Sequence, residues 1–145
     1  ENVDNLLFKE KEIGLDNIEV FKKFDVNCKK FKQNFFKLLN DLKNKNKKII
    51  GYAATSKSTT ILNYCNINNE LINSIVDSTV DKQSKFSPGA HIPIIPDTRF
   101  NSIESDYCVL FAYNHQKEIL SKEKNYELNG SKWIQLFPQP KIVND

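Results

Sequence analysis

The chain has 145 residues, 39% of them hydrophobic and 27% charged, with a formal net charge of +3. That size and balance fit one small globular domain, and the lack of any apolar run of about 18 residues excludes a membrane span. Three scattered cysteines, Cys28, Cys65 and Cys108, exclude a disulfide framework and a CxxC-type zinc site, and they point to a reducing, cytoplasmic setting. The first residues lack a basic stretch followed by an apolar one, so no signal peptide is expected. No methionine is present and the chain starts at Glu1, so it reads as a piece of a longer protein, natural or trimmed by design.

Residues 1–48 hold twelve lysines against eight acidic residues, while residues 49–145 hold nine basic residues against ten acidic ones. The basic excess therefore follows one segment, in which Ile18, Phe21, Phe24, Cys28, Phe31, Phe35, Leu38 and Leu42 recur at intervals of three and four. This spacing predicts a long amphipathic helix whose lysines form a solvated face. Asp16 is its expected N-cap, with Glu19 completing a capping box, and residues 44–48 end it. Nucleic-acid binding is not expected, because such a surface clusters arginines and aromatics and Arg99 is the sole arginine. Four phenylalanines on the stripe require cover, so self-association through the helix or packing on other parts of the whole protein is expected.

From residue 48 the pattern alternates between strands and helices. Residues 48–52 (KIIGY) read as a buried strand, followed by a small-residue loop at 53–57 and a helix ending near Asn66. Residues 71–76 read as a second strand closed by Asp77, Ser78 and Thr79, and residues 87–93 (SPGAHIP) as an ordered loop or short edge strand. Residues 107–112 form a third strand, residues 114–129 a helix with Gly130 as its left-handed C-cap, and residues 133–137 the last strand before Pro138 and Pro140. Strands separated by helices imply an α/β, Rossmann-like, mainly parallel sheet with flanking helices. The expected organisation is a connecting segment with the long helix over 1–47 and the Rossmann-like domain over 48–145.

In such a sheet, ligands bind beyond the carboxyl ends of the strands. Three polar loops fall there, at 52–58, 77–82 and 113–115. The first, GYAATSKS at 51–58, resembles a phosphate-binding loop at Lys57 and Ser58 but has Ser56 where a glycine is needed, which argues against an NTPase. A helix start with hydroxyls and Lys57 can still hold a phosphate. Equally, Thr55 and Ser56 can simply cap the helix, and spacing alone leaves the two open. His91 and His115 each fit a core histidine or a site residue, and their spacing suggests no metal pair. Cys65 and Cys108 read as core residues, Glu118 and Glu123 as surface charges on a helix.

These loops also carry a family resemblance. GYAATSKSTT at 51–60, LNYC at 62–65, residues 77–83, PGAHIPI at 88–94, Asp106-Tyr107, LFAYNH at 110–115, KEI at 117–119 and KWI at 132–134 resemble the C-terminal domain of sugar C-methyltransferases. The leading segment, with Glu10-Lys11 and Gly14-Leu15, is similar to that family's connecting region, so the resemblance covers nearly the whole chain. It departs from the family pattern at Ala53, where glycine is usual, at Val80, where proline is commoner, at Tyr113, where tryptophan is commoner, and at Asn129-Gly130, where a glycine pair is frequent.

The resemblance implies an S-adenosylmethionine-dependent enzyme that methylates a carbon of a nucleotide-linked keto-deoxysugar, in which this module grips the nucleotide sugar. The methyl donor, the acid–base residues and the zinc cysteines are then expected upstream, in methyltransferase and zinc domains of the same chain. The fragment alone is expected to be inactive, with no cofactor, metal or catalytic residue of its own. Carried over residue by residue, Tyr52, Thr55, Ser56, Lys57 and Ser58 become candidates for the diphosphate or nearby sugar. Asn114 and His115 become candidates for the nucleotide or sugar end of the cleft, and His91 a positioning residue in a rigid loop. The rival reading is a stand-alone, non-catalytic nucleotide-sugar-binding or regulatory module.

Overall fold

Residues 49–52 are buried along their whole length and form strand β1 (Ile49–Tyr52), the centre of the architecture. The structure is a computed structural model and describes residues 2–143. A run buried on both sides is what a central parallel strand requires, since neighbours pair with both edges and helices cover both faces. β1 pairs in parallel with β2 (Ile75–Asp77) on one side and β4 (Tyr107–Leu110) on the other. β3 (Ile94–Pro96) extends the sheet beyond β2, and β5 (Lys132–Gln135) beyond β4, both in parallel. A two-residue strand β6 (Lys141–Ile142) closes the far edge antiparallel to β5, giving the order β3-β2-β1-β4-β5-β6.

The fold class is therefore the expected one, an α/β mainly parallel sheet with flanking helices and a long helix before it. Helix α1 (Val3–Glu12) precedes α2 (Ile18–Asn44), and neither α1 nor β6 was expected from the sequence pattern. The N-cap of α2 is Asn17, not Asp16: the Asn17 side chain accepts a 3.0 Å hydrogen bond from the Glu19 backbone N–H. The chain forms two compact units, 1–32 and 33–145, and α2 runs through both. In the larger unit the last turns of α2 bury Phe35, Leu39 and Leu42. In the smaller unit Ile18, Phe21 and Phe24 are exposed.

Side-chain alternation along β1 places Ile50 and Tyr52 in a core cluster with Val76, Phe100, Cys108, Leu110, Ile119, Tyr126 and Trp133. Between them, Gly51 lies so close to Phe111 that a Cβ there would stand 2.7 Å from its ring. Leu71 and Ile72 are buried as the expected strand required, but they sit in a turn bonded to the Asn68 carbonyl and β2 begins only at Ile75. The expected helix at 114–129 is three pieces: a 3-10 turn at Tyr113–His115, α4 (Gln116–Lys122) and α5 (Lys124–Leu128). Gly130 does take the left-handed conformation, at φ 87°. Among the described residues, no helix is long and apolar enough to cross a membrane.

Candidate functional site at the sheet switch point

Chain direction across the sheet reverses between β1 and β4: β1 continues outward to β2 and β3, whereas β4 lies on its other side. This switch point leaves a crevice outside the carboxyl ends of the two strands. Two segments border it, the β1–α3 loop at 53–55 with helix α3 (Ser56–Cys65), and the turn Tyr113–His115 after β4.

The β1–α3 loop is tightly built. Ala53 takes φ 73° and donates its N–H to the Val76 carbonyl at 2.8 Å. Ala54 donates to Asp77 Oδ2 at 2.7 Å, and Lys82 Nζ donates to the Ala54 carbonyl at 2.8 Å while lying 3.4 Å from the same Asp77 oxygen. Thr79 N–H adds a 2.8 Å bond to Asp77 Oδ1. Burial pushes the Asp77 pKa up, but the hydrogen bonds from Thr79 and Ala54 and the Lys82 charge together outweigh it and hold the carboxyl below its ordinary value. Sequence reasoning placed Asp77 and Lys82 at the sheet edge but missed that they clamp this loop.

The capping role falls to particular residues. Thr55 is the N-cap of α3: its Oγ1 accepts from Ser58 N–H at 3.1 Å, and buried Ser58 Oγ donates back to the Thr55 carbonyl at 2.6 Å. Ser56 and Lys57 are exposed in the first turn, and their backbone N–H groups have no partner among the described residues. Such N–H groups, the helix dipole and an ammonium form an anion-attracting arrangement. Lys57 Nζ stands 5.2 Å from the centroid of the Tyr113 ring, across the switch point. Next to that ring a crevice of about 470 Å³ is lined by residues 113–118, including Asn114 and His115, both exposed. His115 Nδ1 is 3.6 Å from Glu118 Oε2 on the open surface.

Two candidates stand elsewhere. Tyr52 is turned into the core, where its hydroxyl donates a 2.9 Å hydrogen bond to Glu123 Oε1 and its ring meets Phe100 and Trp133 edge-on. Burial, then the Glu123 hydrogen bond, raises its pKa well above the ordinary value. Glu123 is thus a buried partner and not the surface charge its lysine-rich surroundings suggested. His91 is exposed at φ 52° in the loop before β3, whose first residue pairs with the first residue of β2. It therefore lies toward the amino-terminal edge of the sheet, away from Lys57 and Asn114.

S-adenosylmethionine does not fit the β1–β2 edge of this chain. A ribose site after the second strand uses a carboxylate that accepts a ribose hydroxyl, and that of Asp77 is already engaged by Ala54, Thr79 and Lys82. Among the described residues, no group of three or more His, Cys, Asp or Glu side chains could hold a metal ion.

The geometry defines a Rossmann-like domain with an exposed helix start after β1 and a crevice lined by residues 113–118 after β4. The chain belongs to the C-methyltransferase C-terminal domain family, whose profile matches residues 1–138. It is 28% identical over 142 residues to the C-methyltransferase NovU of Streptomyces niveus, an alignment covering 98% of this chain and 34% of that protein. The chain thus spans about a third of the length of this curated relative.

Proposed function

We propose that this domain is the nucleotide-sugar-binding C-terminal part of an S-adenosylmethionine-dependent sugar C-methyltransferase. The observation that carries the reading is the approach of Lys57 Nζ to the ring of Tyr113, which itself lines a crevice formed by residues 113–118, in a chain of this family. Lys57 and the N–H groups of Ser56 and Lys57 hold the diphosphate by charge-assisted hydrogen bonds. Asn114, with both donor and acceptor atoms, and His115 contact the sugar or nucleotide end. Thr55 and Ser58 keep the helix start in shape, and Tyr52 anchors the strand beneath it.

The work of this domain is positioning. It holds the substrate so that a base elsewhere in the whole protein can remove the proton next to the sugar ketone, and the resulting enolate carbon can accept a methyl group. The methyl group is supplied by S-adenosylmethionine held outside this chain. Three scattered cysteines and a nucleotide-sugar substrate fit a reducing, cytoplasmic setting.

The test is methyl transfer from labelled S-adenosylmethionine to a keto-deoxysugar nucleotide by the full-length protein and its Lys57→Ala variant. A raised KM for the nucleotide sugar, with the KM for the methyl donor unchanged, is expected. Equal KM values for the nucleotide sugar would overturn the assignment.

A further inference from the structure

Resting on that reading of Lys57 as an anion-binding residue, we infer that Tyr113 is a positioning residue that aims the Lys57 ammonium over the switch-point crevice. The two residues come from different connections, Lys57 from the first turn of α3 and Tyr113 from the turn after β4. Their separation of 5.2 Å, ammonium to ring centroid, lies within the roughly 6 Å over which a ring face attracts a cation. The ring is itself braced. Phe137, just beyond β5, meets it edge-on with centroids 4.7 Å apart and planes at 68°.

The chemistry of the partner is what matters. Lys47, Lys48 and Lys82 are each set against a carboxylate, of Asp106, Glu104 and Asp77 respectively. A carboxylate orients an ammonium but cancels its field and repels an incoming phosphate. An aromatic face orients it through the ring quadrupole and carries no net charge, so the full positive charge stays available to an anion. A lysine held in this way also loses less rotamer freedom when it binds. Tyr113 lines the same crevice as Asn114 and His115, and the Lys57 ammonium stands 5.2 Å from the Tyr113 ring centroid at its border.

The experiment is a titration of the full-length protein with inorganic pyrophosphate, followed by NMR, for wild type, Lys57→Ala, Tyr113→Leu, Tyr113→Trp and the Lys57→Ala/Tyr113→Leu double variant. Tyr113→Leu should weaken binding about two- to fivefold, the worth of an exposed cation–π contact, and Tyr113→Trp should retain wild-type affinity. In the Lys57→Ala background Tyr113→Leu should change nothing further, because the two residues act as one unit. The ε-methylene protons of Lys57 should be shifted upfield by the ring in wild type and Tyr113→Trp, and not in Tyr113→Leu. An equal loss from Tyr113→Leu in both backgrounds, or no loss in either, would overturn the positioning role. If Lys57→Ala alone leaves pyrophosphate affinity unchanged, the anion-binding reading itself fails, and the positioning role falls with it.

Discussion

Tyr52 and Glu123, seventy-one positions apart in the chain, share a buried hydrogen bond of 2.9 Å from the tyrosine hydroxyl to Glu123 Oε1. It joins the end of the central strand to the junction between α4 and α5, and both residues are more than nine-tenths buried. Lys122 Nζ also lies 3.5 Å from the same oxygen. Tyr52→Phe removes the donor and leaves a buried acceptor short of a partner, which should destabilise the fold by about 1–3 kcal/mol. Denaturant titration measures it, and a midpoint equal to wild type would show that the bond contributes nothing net.

Burial of two tyrosines sets an alkaline limit. Tyr52 and Tyr126 both have folded pKa values raised above the ordinary 10, in each case chiefly by burial. A raised folded pKa means that their contribution to stability is complete below pH 10 and is lost as pH rises through the folded values. Stability should therefore fall above pH 10, with a slope of up to about 1.4 kcal/mol per pH unit for each tyrosine. Thermal melts from pH 8 to 11.5 check this, and Tyr52→Phe should reduce the slope.

Asp77 has the opposite sign. Its lowered folded pKa gives stability that is complete above the ordinary 3.8 and lost as pH falls through the folded value. Asp77→Asn removes the charge that Lys82 and two backbone N–H groups face. It should cost about 1.5–3 kcal/mol at pH 7, the range for hydrogen bonds to a charged group. At pH 3 the variant and wild type should lie closer together. A gap of constant size across pH 3–7 would show that the charge is not what clamps the loop.

Ala53 holds φ 73°, a conformation in which its Cβ is strained. The left-handed region costs a non-glycine residue about 1–2 kcal/mol. Ala53→Gly relieves that strain but gives the unfolded chain extra freedom worth about 0.4–1 kcal/mol. The net expectation is a gain of up to about 1.6 kcal/mol, read as a higher melting temperature. A clear loss of stability would show that the Ala53 methyl packs usefully against the core cluster it borders.

Lys57→Ala should weaken nucleoside-diphosphate binding by the full-length protein about tenfold to a hundredfold, since a charge-assisted hydrogen bond contributes about 1.5–3 kcal/mol. Lys57 is exposed, so the fold should be unaffected. The difference should shrink between low and high salt, because screening already removes part of the wild-type attraction. Isothermal titration at two ionic strengths decides it, and equal affinities at both would return the loop to a purely capping role.

The central elements were legible because their signals are local. Apolar runs marked β1 and β4, the small-residue loop with Thr55 marked the start of α3, and Asn66 marked its end with φ 56°. What escaped depends on distant partners. Nothing near Glu123 announces that its carboxylate turns inward, since the hydroxyl that receives it belongs to Tyr52. The break between α4 and α5 falls at Glu123, where a continuous helix had been expected. Leu71 and Ile72 show the converse: their apolarity reported burial correctly, but a turn buries them as well as a strand would. The site was half legible in the same sense. Lys57 and Asn114 could be placed at the sheet edge from strand ends alone, whereas the ring beneath the ammonium, the clamp at Asp77 and the remoteness of His91 emerge only from tertiary pairing.

The clamp has a consequence for how this domain can be altered. Because Lys82 grips the Ala54 carbonyl and Asp77 grips the Ala54 N–H, the stretch after β1 has no shape independent of the stretch after β2. Grafting residues 53–58 from a homologue onto this scaffold would import side chains without the clamp that holds their loop. Any exchange meant to change ligand preference must carry residues 77–82 along with it, so the two segments form a single transplantable part.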